Sequence, residues 1–162
     1  MLMEQMTQEL AVMNGVSPQT LNSGGTARAS TGGIDMSKCK RAFFHLYIGA
    51  VTAGSISAWL QESSDNFNSD VPANDAASSF SNSSGLNVSI TGQTTSNSII
   101  TFEVRADQLT TGKQYARLQV KETAGSNTIV CVAALGGDAA LRPANLQNGT
   151  HQKTNGAAKV VA

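Results

Sequence analysis

Apolar and polar residues alternate in several short runs through the middle of the chain, and a period of two predicts β-strands. In residues 42–48, Phe44, Leu46 and Ile48 fall on one face; in 55–62, Ile56, Ala58 and Leu60 do, with Trp59 on the other. The connection Thr52-Ala53-Gly54 is too short for a helix, so these two runs are expected to form an antiparallel hairpin. Residues 86–90 alternate cleanly. Residues 99–105 put Ile100, Phe102 and Val104 inward, and 114–121 put Ala116, Leu118 and Val120 inward, with charged residues opposite. Residues 129–135 are apolar on both faces, which predicts a strand that is central or covered by another chain. Residues 63–85 are rich in Ser, Asn and Asp and read as loop, with room for a short edge strand near Phe67 or Phe80. No connection among these strands leaves space for a βαβ crossover.

The expectation is an all-β fold: an antiparallel two-sheet β-sandwich, jelly-roll-like or alternatively immunoglobulin-like. Leu109, Gly112 and Tyr115 sharpen it. Their spacing resembles the corner of such sandwiches, with Leu109 plugging the core, Gly112 permitting the bend and the Tyr115 hydroxyl closing onto backbone. The corner favours two sheets without choosing between the strand orders.

The body is predicted over residues 34–137, between extended arms at 1–33 and 138–162. Met3, Met6, Leu10 and Met13 recur at helical spacing, so residues 1–16 are read as a short helix stopped by Asn14-Gly15 and Ser17-Pro18. A helix so short needs a surface to lie on. Residues 17–33 carry two Gly pairs around Arg28 and read as a linker; 138–162 carry Arg142 and no acid after Asp138. On this reading, deleting residues 1–33 leaves the circular dichroism of the body nearly unchanged.

Charge narrows the partners. Lys and Arg number 11, Asp and Glu number 11, and charged residues make up 14% of the 162, against about 25% in typical domains. So neutral a chain is a poor non-specific nucleic-acid binder. No apolar run reaches the ~18 residues of a membrane span, and the start, Met1-Leu2-Met3-Glu4, lacks the pattern of a secretory leader. Neither nucleic acid nor membrane is expected as a partner.

The chemistry-bearing residues are sparse. Cys39 and Cys131 are expected as free thiols, with a bridge left open because both fall in one sheet system. His45 lies within a strand and His151 in the tail, and neither has the further ligands a metal site needs. Asp65, Asp70 and Asp75 share one loop at a spacing that suits no helix or strand face. No G-x-S-x-G elbow and no phosphate-binding Gly-rich motif occurs. No enzyme activity and no cofactor are expected. Trp59 reads as an interface or second-core residue, with carbohydrate stacking as the rival. The interface candidates are Met3, Met6, Leu10, Met13, Arg28, Trp59 and Arg142.

Four blocks in order carry a family resemblance: Ile34-Asp35-Met36-Ser37-Lys38, then Phe43 to Ala50 (FFHLYIGA), then Ala58 to Asp65 (AWLQESSD), then Phe102 to Leu109 (FEVRADQL) continuing through Gly112-Lys113-Gln114-Tyr115. Over roughly residues 34–136 the chain resembles a family of small tailed-bacteriophage virion structural proteins. Phe67 stands where that family carries tryptophan. The resemblance implies a capsid cement or decoration protein on the virion's capsid surface, made in the host cytoplasm. Its partners would be the major capsid protein and copies of itself, with a trimer at a symmetry axis as one arrangement. A tail, neck or fibre location is the alternative. Arms reaching across subunit joints would act together through linked binding, and the low charge implies modest salt sensitivity.

Overall fold

The computed structural model describes residues 10–21, 28–68, 89–123 and 127–139. Nine strands occur among the described residues, in chain order: β1 (Ala11–Leu21), β2 (Arg28–Ser30), β3 (Ile34–Asp35), β4 (Cys39–Ile48), β5 (Ser55–Ser63), β6 (Ser89–Gln93), β7 (Ser98–Arg105), β8 (Tyr115–Thr123) and β9 (Thr128–Ala139). One 3₁₀ turn, Ala106–Gln108, follows β7. The strands form two antiparallel sheets packed as a sandwich. Sheet A has the order β1-β9-β4-β7, and sheet B the order β2-β8-β5-β6 with β3 also on β8.

The pairing is nested: β1 with β9, β2 with β8, β4 with β7, β5 with β6. Two further pairings, β4 with β9 and β5 with β8, join the nested pairs into sheets. The inner faces follow the alternation of the sequence. Phe44, Leu46, Phe102, Val104, Val130 and Val132 from sheet A meet Ile56, Ala58, Leu60, Leu118 and Val120 from sheet B in one buried core. Burial on this scale supplies most of the driving force for folding, at about 25 cal/mol per Å² of apolar surface.

The N-terminal helix is not formed over its second half, since residues 11–16 belong to β1; residues 1–9, with Met3 and Met6, lie outside the described residues. Pairing with β9 satisfies the backbone and buries Ala11, Val16 and Leu21, which a thin methionine stripe on a short helix could not match. Asn14-Gly15 and Pro18 fall at the two register shifts of this edge strand. There Gly15 is required: a Cβ would stand 2.0 Å from the Val132 carbonyl oxygen. Pro18 is tolerated because an edge strand has an unpaired side.

Residues 11–21 and 28–30 are thus part of the sheets rather than an arm outside them. Deleting residues 1–33 would remove Val16, Leu21 and Ala29 from the core, so the body is not indifferent to that deletion. The expected β4–β5 hairpin is also not formed, because β4 lies in sheet A and β5 in sheet B. The connection crosses the end of the sandwich. Gly49 donates its N–H to the Ile129 carbonyl at 2.8 Å, Val51 donates to Ser96 Oγ at 2.9 Å, and the Val51 side chain packs on the core. Phe67 lies in a turn and not in a strand, while Phe80 is outside the described residues.

Candidate interaction surface

The outer face of sheet A can be read row by row from its register. One row is Ile99, Tyr47 and Cys131; the next is Thr101, His45 and Ala133. Glu103, Phe43, Leu135 and Val12 follow, and then Arg105, Arg41 and Gly137. Among the described residues, the large apolar side chains most open to solvent lie on this face: Ile99 at 65% exposure, Val12 at 63%, Ile129 at 53% and Tyr47 at 43%. Exposed large apolar side chains gathered on one face mark a site of association. Its polar groups are matched within the chain. His45 Nδ1 lies 3.0 Å from Thr101 Oγ1, Arg41 Nη1 lies 3.3 Å from Glu103 Oε1, and Arg105 Nη2 lies 2.6 Å from Asp107 Oδ2. The charge at that end of the sheet is therefore largely neutralised locally.

The outer face of sheet B is built differently. Trp59 sits there as expected, opposite Gln119 and Ser89, but it is only 9% exposed. Its neighbours are polar and buried. Gln61 Nε2 donates to Gln119 Oε1 at 3.1 Å, and Arg117 Nε donates to Gln61 Oε1 at 2.8 Å. The Arg117 guanidinium stacks on Phe67, 4.0 Å from the ring centre. Phe67 reaches that position because the chain after β5 folds back. Ser63 Oγ accepts the N–H groups of Asp65 at 3.1 Å and Phe67 at 2.9 Å, while Asn66 and Phe67 take left-handed φ values of 60° and 62°. Burial lowers the pKa of Arg117 from its usual value.

The corner after β7 is closed by groups other than the expected tyrosine. Leu109 packs against the core and Gly112 takes φ +89°, as a tight bend requires. Tyr115 instead pairs with Ser63 on the outer side of sheet B, and among the described residues its hydroxyl makes no hydrogen bond. The closing contacts are Thr110 N–H to Glu62 Oε2 and Gln114 N–H to the Ser63 carbonyl, each 2.9 Å. Asp35 ties β3 to the same corner. Its Oδ1 accepts from Ser37 N at 3.0 Å, Ser37 Oγ at 2.6 Å and Gln114 Nε2 at 2.9 Å. Partial burial works to raise the Asp35 pKa, but the hydrogen bonds from Ser37 and Gln114, aided by Lys38, outweigh it and hold the carboxyl below its ordinary value.

The remaining sequence candidates are scattered. Leu10 and Met13 are half-buried; Met13 packs against the core, and Leu10 lies beside Gly137 and Phe43. Arg28 is exposed on the outer side of β2, opposite Lys121. Met3, Met6, Arg142 and His151 lie outside the described residues. Cys39 and Cys131 are free: Cys39 pairs with Ala139 and Cys131 with Tyr47, eight positions along the same strand pair, or about 26 Å at 3.3 Å per residue. Burial, followed by the charge of Asp35, raises the Cys39 thiol. Among the described residues no three His, Cys, Asp or Glu side chains gather as a metal site. The exposed side chains of the sheet A face were missed as interface candidates. The signal lay in residues 129–135, apolar on both faces, beside outward Tyr47 and Ile99.

No protein-family model matches the chain, and no curated protein matches it.

Proposed function

We propose that this chain is a non-enzymatic virion structural protein of the cement or decoration type, binding the outside of an assembled capsid across neighbouring major capsid protein subunits. The observation that carries the reading is the open apolar face of sheet A on a body whose other face is already covered. A secreted or cytosolic monomer gains nothing from leaving Ile99, Tyr47 and Ile129 in water, whereas a subunit of an assembly buries them.

The strand order supports a finer reading of the fold. Eight strands in the orders 1-9-4-7 and 2-8-5-6, nested as one long antiparallel ribbon folded over, support the double Greek-key reading of a jelly roll. Jelly rolls recur in viral capsids and in lectins, so architecture supports the virion reading by analogy alone. A carbohydrate site on Trp59 is not favoured, since a side chain 9% exposed offers no open ring face to a sugar.

Attachment to the capsid is assigned to the chain ends, and the apolar face to contact between subunits of the assembly. Residues 11–21 and 28–30 are held within the sheets, so the clamp role narrows to residues 1–10, with Met3 and Met6, and to 138–162, with Arg142. Electron density of the intact particle tests the reading. The expected result is this sandwich on the capsid exterior at the joints between major capsid subunits. Density in the tail, neck or fibre would replace it with the alternative location, and absence from the particle would overturn it.

A further inference from the structure

The outer face of sheet A has a shape that fits itself. Its β4 column is bulky, with Phe43, His45 and Tyr47; its β9 column is large at Ile129 and Leu135 but small between and beyond them at Cys131, Ala133 and Gly137, the last already overlain by Phe43 and Leu10. These columns are neighbours at the centre of the sheet. A two-fold axis along the strands, between β4 and β9, lays the β4 column of each copy over the β9 column of the other, with Phe43 against Leu135. Tyr47 then covers Cys131 of the second copy and His45 covers Ala133. An axis across the strands would set bulky on bulky, so steric fit selects the first arrangement.

We propose that a second copy of this chain docks on this face, making an isologous dimer through sheet A. The inference rests on reading the face as an interface and not on where in a particle the protein sits. Area and charge both suit it. The ten residues of β4 extend about 33 Å, and four strands cover about 19 Å, a projected area of ~630 Å². Side chains roughen that plane toward the ~800 Å² per partner of a standard interface. The chain carries no net formal charge. The arginines brought together at one end of the pair are each already bridged to an acid of their own chain, so like ends meet without strong repulsion.

Cys131 reports on the contact. It is half-buried on this face, while Cys39 is buried inside and is expected to be silent toward thiol reagents. In the full-length protein, labelling of Cys131 is expected to slow about tenfold on passing from dilute to concentrated solution, because nine-tenths of the sites are then covered. Sedimentation equilibrium should give a dimer over the same range. Tyr47→Lys and Ala133→Arg should each give a monomer with unchanged far-ultraviolet circular dichroism and fast Cys131 labelling at every concentration. A wild-type monomer whose Cys131 labels equally fast throughout would overturn the proposal. So would a dimer or trimer that both substitutions leave intact with Cys131 still open, since the contact would then lie elsewhere. Particle binding by a persistent monomer would leave the virion reading standing and remove only the dimer.

Discussion

Sheet A and sheet B both turn mainly apolar side chains inward, yet their outer faces are finished in opposite ways. On sheet B the buried polar side chains are hydrogen-bonded, Gln61 to Gln119 and Arg117, and Ser63 to the turn at Asp65 and Phe67, with Arg117 stacked on Phe67. On sheet A the apolar side chains Val12, Tyr47, Ile99 and Ile129 stand in water. Buried polar groups need their partners, because an unsatisfied one costs about 1–3 kcal/mol. Exposed apolar groups need nothing for folding and gain free energy only when something covers them. The lesson is that the covered polar face belongs to the stability of the single chain, and the open apolar face to its associations.

That contrast gives a graded series of substitutions. The shared interior sets the upper end: Leu60→Ala, at a fully packed site, is expected to cost about 2–5 kcal/mol in urea unfolding. On the sheet B face, Gln61→Ala strands Gln119 and Arg117 and should cost about 1–3 kcal/mol, measured the same way. The matching change on the sheet A face, Thr101→Ala, removes only an exposed contact with His45 and should stay within about 0.5 kcal/mol. A Gln61→Ala effect as small as that of Thr101→Ala would erase the difference between the faces.

A subtler test comes from pH. The Asp35 carboxyl is held below its ordinary value in the folded protein. Its contribution is therefore complete above the unfolded value of about 3.9 and is lost as pH falls through the lower folded value. Asp35→Asn should be less stable than the wild type near neutrality, with the gap closing in acid. Urea midpoints of the two proteins across that range check it, and a gap that stays constant or widens in acid would contradict the assignment.

Much of the sandwich was legible because half-buried strands write their period of two into the sequence. The inner positions of β4, β5, β7 and β8 were identified residue by residue, since Phe44, Leu60, Phe102 and Leu118 alternate with polar neighbours. β1 was not legible. Its buried residues Ala11, Val16 and Leu21 are spaced by two bulges, so no period survives, and Gly15 and Pro18 mimic helix stops. The β4–β5 connection misled for another reason: a short link has the same length whether it turns back in one sheet or crosses to the other. Which sheet a strand joins is decided by distant partners such as β8 and β9. Glu122, fully buried on the inner side of β8, continues the inward parity of Ala116, Leu118 and Val120 one position past the end of the 114–121 run. The outward apolar residues were visible singly; only the register that aligns Ile99, Tyr47 and Cys131 makes them one surface.

Oxidative footprinting of Tyr47 and Trp59 in the same sample tests the contrast between the two faces most directly. In dilute protein Tyr47 should be oxidised readily and Trp59 should be protected; in the assembled state Tyr47 should become protected while Trp59 does not change. Tyr47 equally reactive before and after assembly, or Trp59 open to oxidation in the dilute chain, would contradict the account.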